Sequence, residues 1–213
     1  MKFQVSSFKF QSGRPGQGLL ETIVALSVLT TGAVALVSLV ISASVSRSFA
    51  EGETVAVNLA REGIEVTRSI RDTNWITGSA FDLGLYGAGS DFTSVPVWDP
   101  VANAWSLAAT PNANAITDSG AILYRYTAAG GGAQGSFVQT TAGSAPANTV
   151  ATNYRRLVTA DEICSDYTTV MSSGSTCGGA LTKIGRRVRS MVQWTERART
   201  HSITVEERIY DWR

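Results

Sequence analysis

The sequence predicts an α+β protein: a long N-terminal helix, packed by its C-terminal half on an antiparallel β-sheet head. Three observations carry this. Residues 22–46 are 25 consecutive uncharged positions, most of them apolar. The charged stretch beyond Arg47 keeps apolar side chains at helical spacing. Near the C-terminus, apolar and polar residues alternate as they do in half-buried strands.

The chain has 213 residues, which suits one head domain plus a long helix and is short for two large domains. As a helix the uncharged run is roughly 37 Å long at about 1.5 Å per residue. A bilayer core is roughly 30 Å thick, so the run can span it. A secretory signal has a shorter apolar core of roughly 7–15 residues, followed by a small-residue cleavage site. Here the helical pattern continues past Arg47 instead. Lys2, Lys9 and Arg14 precede the span, whereas Glu51 and Glu53 soon follow Arg47. The excess of positive residues predicts the N-terminus inside and residues 47–213 outside.

Glu21 interrupts the start of the apolar run. A carboxylate within hydrocarbon costs about 2.5–3.5 kcal/mol at a helix centre and less near the interface, so such a residue calls for a partner. A cut after Gly16 would create an α-amino group at Gln17, which could neutralise Glu21 in the same chain or in a neighbouring copy.

The segment Arg14-Pro15-Gly16-Gln17-Gly18-Leu19-Leu20-Glu21-Thr22-Ile23-Val24-Ala25-Leu26 resembles the processing motif of type IV prepilins and type II secretion pseudopilins. That family joins a short basic leader ending in Gly to an apolar helix with Glu at its fifth mature position. The resemblance implies that a prepilin peptidase cuts the Gly16–Gln17 bond and methylates Gln17. It also implies that Glu21 aligns the subunit with the terminal amine of a neighbour. Two features depart from the family pattern. Gln17 stands where the family usually has Phe, and it can cyclise instead of being methylated. No proline occurs between Pro15 and Pro96, so Gly32 is the weak point of the membrane half. The predicted organisation is a cytoplasmic leader over 1–16, a transmembrane or filament-core half-helix over 17–46, an amphipathic half over 47–75 and a β-rich head over 76–213. Without Lys2, Lys9 and Arg14, 15 of the 18 basic residues remain against 17 acidic ones, a net charge of −2. That balance does not favour nucleic-acid binding.

Over residues 50–72, Val55, Leu59, Val66 and Ile70 fall on one stripe, flanked by Ala56, Ala60 and Gly63. This stripe should dock on the head, with Gly63 permitting close approach. Arg61, Glu65, Arg68 and Asp72 lie opposite, where Arg61–Glu65 and Arg68–Asp72 can pair at four-residue spacing. The whole helix should reach about 55 residues, or roughly 80 Å. The stretches Asn58–Glu65 and Arg71–Trp75 resemble the stem of minor pilins of the pilus-modification type.

Residues 76–120 lack sustained periodicity and are expected to form turns and loops. Trp75, Phe81, Phe92, Trp98 and Trp105 are expected to supply a small core, with an exposed adhesive patch as the alternative. Strands are predicted over 121–127, 137–140, 154–163, 184–195 and 201–210, with a loop around Glu196–Arg199. In the last strand Ile203, Val205 and Ile209 alternate with polar residues, and Glu207 should mark its exposed end. The ending Tyr210-Asp211-Trp212-Arg213 resembles the C-terminal strands of minor pilins. Cys164 and Cys177 enclose twelve residues. Outside the cytoplasm they can form a disulfide worth roughly 3 kcal/mol; free thiols are the alternative.

Catalytic patterns are scarce. His201 is the single histidine and reads as solvated or hydrogen-bonded. Asp161, Glu162 and Asp166 lack the order of a calcium loop. Arg186, Arg187 and Arg189 read as salt-bridging and solubilising residues. No catalytic residue, metal or cofactor is expected. Three functional expectations compete. The first is a filament subunit, chiefly a minor pilin; the others are a pseudopilin of a secretion or DNA-uptake system, and an anchored adhesion module that never polymerises. For the first, the partners are other pilin subunits, prepilin peptidase, the pilus assembly machinery and, before assembly, the membrane. Its expected location is the cytoplasmic (inner) membrane with the head outside, then an extracellular pilus (fimbrium).

Overall fold

The computed structural model describes residues 17–85, 93–99, 101–109, 115–127, 134–141, 145–171 and 175–211. One helix, α1, runs over Gln17–Thr77. Eight strands follow: β1 Thr93–Asp99, β2 Ala104–Ala108, β3 Ile122–Tyr126, β4 Phe137–Val138, β5 Thr149–Cys164, β6 Val170–Met171, β7 Lys183–Glu196 and β8 Arg199–Tyr210. The chain divides after Ala50 into two compact units. The first contains the apolar part of α1, and the second contains the rest of α1 and the sheet.

Every described strand pairing is antiparallel. The class is α+β, with α1 against an antiparallel eight-stranded sheet. The 16-residue β5 is its spine. One edge pairs with β7 from Tyr154↔Trp194 to Cys164↔Lys183. The other edge is shared in turn by β3, β1 and β6. β8 pairs with β7 through a two-residue turn, Arg197-Ala198, in which both residues have positive φ. Such a turn matches the right-handed twist of the flanking strands.

Period-two alternation sends one set of side chains from each long strand toward α1. Val192 and Trp194 meet Ala56, Leu59, Ala60 and Leu123. Val158, Ala160, Val188 and Ile209 meet Ile64, Val66, Leu85 and Leu107. The predicted helix stripe thus contributes Leu59, Val66, Ala56 and Ala60 to buried core, with Val55 and Ile70 at its margin. A smaller cluster on the opposite side joins Val95 and Leu157.

Several expectations require correction. The stretch expected to be loops holds the β1–β2 hairpin. Pro96 concealed it, because proline within a run argues against a strand. Pro96 is tolerated because β5 pairs only with Thr93 and Ser94 of β1, leaving Pro96 with β2 alone. Of the aromatics assigned to the core, Phe81 is buried, Trp75 and Trp105 are partly buried and Trp98 is 40% exposed. Phe92 lies outside the described residues. The short β6 was also missed, since two residues carry no periodicity.

The helix-face ion pairs differ as well. Arg68 bridges to Glu65 and across to Glu207 on β8, while Asp72 pairs with Arg71. Glu207 does not mark an exposed strand end, because Ile209 beyond it is fully buried. It points toward the helix because Arg68 meets it there at 2.6 Å. Arg186 forms salt bridges as expected, to Asp82 and Glu162, but it does not solubilise the surface, for only 1% of it is exposed.

Candidate anchoring and assembly helix

The first unit carries the candidate function. Within residues 18–50 of α1 every residue except Val45 is exposed. Large apolar side chains such as Leu19, Ile23, Leu26, Leu29, Leu36 and Ile41 are each 59–68% exposed. By length and composition this helix can cross a membrane. Several of its hydroxyls are satisfied within the helix. Thr22 donates to the Leu19 carbonyl at 2.9 Å, Ser27 to Val24 at 2.8 Å and Thr31 to Ser27 at 2.9 Å. Back-bonding of this kind removes the need for water, so these residues are compatible with hydrocarbon.

Gln17 opens α1, and Glu21 lies one turn further along it on the exposed stretch. A helix repeats every 3.6 residues, so the Gln17 backbone nitrogen lies on the side of α1 that carries Glu21. The expected leader, residues 1–16, and with it Gly16, lies outside the described residues.

In the second unit, α1 is fastened to the sheet by close approach and by buried charge. A Cβ on Gly63 would collide with Ser190 Oγ and crowd Ser190 Cβ and Val158 Cγ2, so glycine suits this close helix–sheet spacing. Arg156 of β5, 1% exposed, donates through Nη1 to the Leu59 carbonyl at 3.0 Å and to Glu62 Oε2 at 2.9 Å. Its Nε donates to Gln139 Oε1 at 2.8 Å, and Gln139 Nε2 donates back to the Arg156 carbonyl at 3.0 Å. Burial pushes Arg156 below the ordinary arginine range, while the Glu62 carboxylate opposes that shift.

A second buried network lies where α1 ends. Gly78, at positive φ, terminates the helix, and Asn74 Nδ2 donates to the carbonyls of Phe81 and Leu83. Asp82 accepts from Lys183 Nζ at 2.6 Å and from Arg186 Nε at 2.8 Å. Arg186 Nη2 also reaches Glu162 Oε1 at 3.4 Å. Burial alone would raise the Asp82 pKa, but the hydrogen bonds from Lys183 and Arg186 outweigh it and hold the carboxyl below its usual range.

Cys164 and Cys177 are joined in a disulfide. Disulfides persist in oxidising compartments, which agrees with an extracytoplasmic head. His201 stacks on Trp194, with ring centroids 5.3 Å apart. Of the three carboxylates weighed for calcium, Asp161 is bound by Arg187 and Arg189, and Glu162 by Arg186. Asp166 accepts from Thr168 and Thr169, which together hold its pKa at about 2, the Thr169 side chain contributing most. Among the described residues no group of His, Cys, Asp and Glu is placed to hold a metal ion.

Sequence reasoning missed Arg156, Asp82 and Arg186 as joint-forming residues. A signal existed for Arg156, which occupies an inward position in the alternation of Tyr154, Val158 and Ala160. No local pattern marks Asp82, whose partners are about a hundred residues away.

No protein-family model, curated protein or solved structure matches this chain.

Proposed function

We propose that the chain is a structural subunit of a type IV pilus or related filament, a minor pilin by preference, with no reaction of its own. One observation carries the reading. A single helix begins as an exposed apolar span and continues as an amphipathic segment on a disulfide-bonded antiparallel sheet. The pilin-like architecture supports it together with the Gly16–Gln17 and Glu21 spacing. In this reading prepilin peptidase removes residues 1–16, and the head stays outside the membrane until assembly machinery lifts the subunit into a filament. Burial of the apolar half-helix among like helices then replaces lipid contact, and Glu21 sets the register. The head remains on the surface, available for adhesion.

Mass spectrometry of sheared surface filaments and of membranes tests the reading. A filament-borne chain beginning at Gln17 is the expected result, and its mass distinguishes methylation from cyclisation. Glu21→Ala should leave the processed chain in the membrane and out of filaments. Retention of residues 1–16 in a chain found only in membranes would sink the proposal and leave an anchored head.

A further inference from the structure

The disulfide loop and the end of α1 are far apart in sequence, yet three buried side chains and one partly buried amide connect them. The Cys177 amide donates to Glu162 Oε2 at 3.0 Å. The other oxygen of that carboxylate meets Arg186 Nη2, and Arg186 Nε meets Asp82. Asp82 belongs to the short loop that follows α1, where the Leu85 amide donates to the Asp82 carbonyl and the Leu83 amide to Ala80. Arg186, Asp82 and Glu162 have side chains only 2%, 3% and 9% exposed. Solvent therefore competes poorly for the contacts that Arg186 makes with Asp82 and Glu162, whereas the Cys177 amide lies at the partly exposed end of the chain of contacts.

Among the described residues, 175–180 are held to the sheet by the disulfide and by the Cys177 amide. The chain is secured again only at Thr182, which exchanges hydrogen bonds with Ser165. Breaking the Cys164–Cys177 bond frees the Cys177 amide from its place over Glu162. The Glu162 carboxylate then keeps its longer contact to Arg186 and loses the one at its other oxygen. Arg186 is shared among Glu162, the Ala160 carbonyl and Asp82, so a change at Glu162 alters its aim at Asp82, which Lys183 also holds.

We propose that the Cys164–Cys177 disulfide governs docking of the helix-end loop, residues 78–85, through Glu162 and Arg186. Oxidation joins the two thiols, with two electrons and two protons passing to a small-molecule or protein disulfide as oxidant. The loop therefore docks fully only after the head has entered an oxidising compartment, and the device acts whether or not the chain polymerises. It couples compartment to folding, because thiols stay reduced in the cytoplasm.

Amide hydrogen exchange tests this on the full chain, before and after reduction with a phosphine. Reduction should accelerate exchange at Leu83 and Leu85 about tenfold relative to Val188 and Val192 in β7, the effect expected of losing one buried charge-assisted hydrogen bond. Glu162→Gln, with the disulfide intact, should accelerate the same two amides and leave Thr169 unchanged. Acceleration confined to the disulfide segment would overturn the proposal. So would equal acceleration in β7, which means loss of the whole fold, or a Glu162→Gln protein with unaltered exchange at Leu83 and Leu85.

Discussion

The guanidinium of Arg156 lies 3.0 Å from the main-chain carbonyl of Leu59, so a sheet residue hydrogen-bonds the backbone of the helix packed above it. The same nitrogen reaches Glu62, and Gln139 holds Nε. Removing one member of such a buried set leaves the others desolvated without partners. Arg156→Ala should therefore destabilise the head by about 3 kcal/mol. Glu62 is more than a third exposed, so Glu62→Gln should cost only about 1 kcal/mol. Urea denaturation of both variants checks the ordering; equal costs would show that the Glu62 charge, not the Leu59 carbonyl, dominates.

Gly63 sets the distance between α1 and the sheet. Gly63→Ala places a methyl group against Ser190 Oγ and Val158 Cγ2, and should cost about 2 kcal/mol by overpacking. Combining it with Ser190→Gly should recover most of the loss. A double variant no more stable than Gly63→Ala alone would show that Val158 makes the decisive contact.

Acid should weaken the Asp82 network before it weakens the apolar core. The folded Asp82 has a lowered pKa, so its contribution is complete above the unfolded value of about 3.9 and is lost as pH falls through the lower folded value. Asp82→Asn lacks this contribution at every pH. The gap in urea midpoint between the wild type and Asp82→Asn should be constant near about pH 6 and narrow below about pH 4.

Arg68 and Glu207 connect the helix to β8 near the surface, with side chains 42% and 22% exposed. A double-mutant cycle with Arg68→Ala and Glu207→Ala should give a coupling of about 0.5–1 kcal/mol that falls as salt rises. A coupling insensitive to salt would mean that the pair is shielded from solvent.

Val34 lies mid-span in the apolar half of α1 and is 68% exposed. Arginine at a helix centre costs about 3 kcal/mol in membrane insertion. Val34→Arg should shift the chain out of the membrane fraction while leaving near-ultraviolet circular dichroism of the head unchanged. An unchanged membrane fraction would remove this segment as the anchor.

Much of the architecture was legible because it is periodic. The long charge-free run marked the first half of α1, and apolar spacing marked the second. The expected strands match β7 and β8 to within two residues, whereas β5 begins at Thr149, five residues before the expected start. The β1–β2 hairpin was illegible because Pro96 breaks the strand signal and five residues of β2 are too few to show a period. The fate of Glu207 was misjudged because a charge on an apolar face looks like an end, unless its partner on another element is known.

By itself, the sequence determined the local properties of this protein: which stretch can span a bilayer, which helix face is apolar, and which strands alternate. Each depends on neighbours a few positions apart, so a window of residues contains the whole cause. Only the tertiary structure decided that Arg156 meets Leu59, that Asp82 meets Arg186, and that Glu162 stands between Arg186 and the disulfide. A buried charge is viable only where partners from remote segments converge, and that convergence depends on the register of β5 against β7 and the seat of α1 on both.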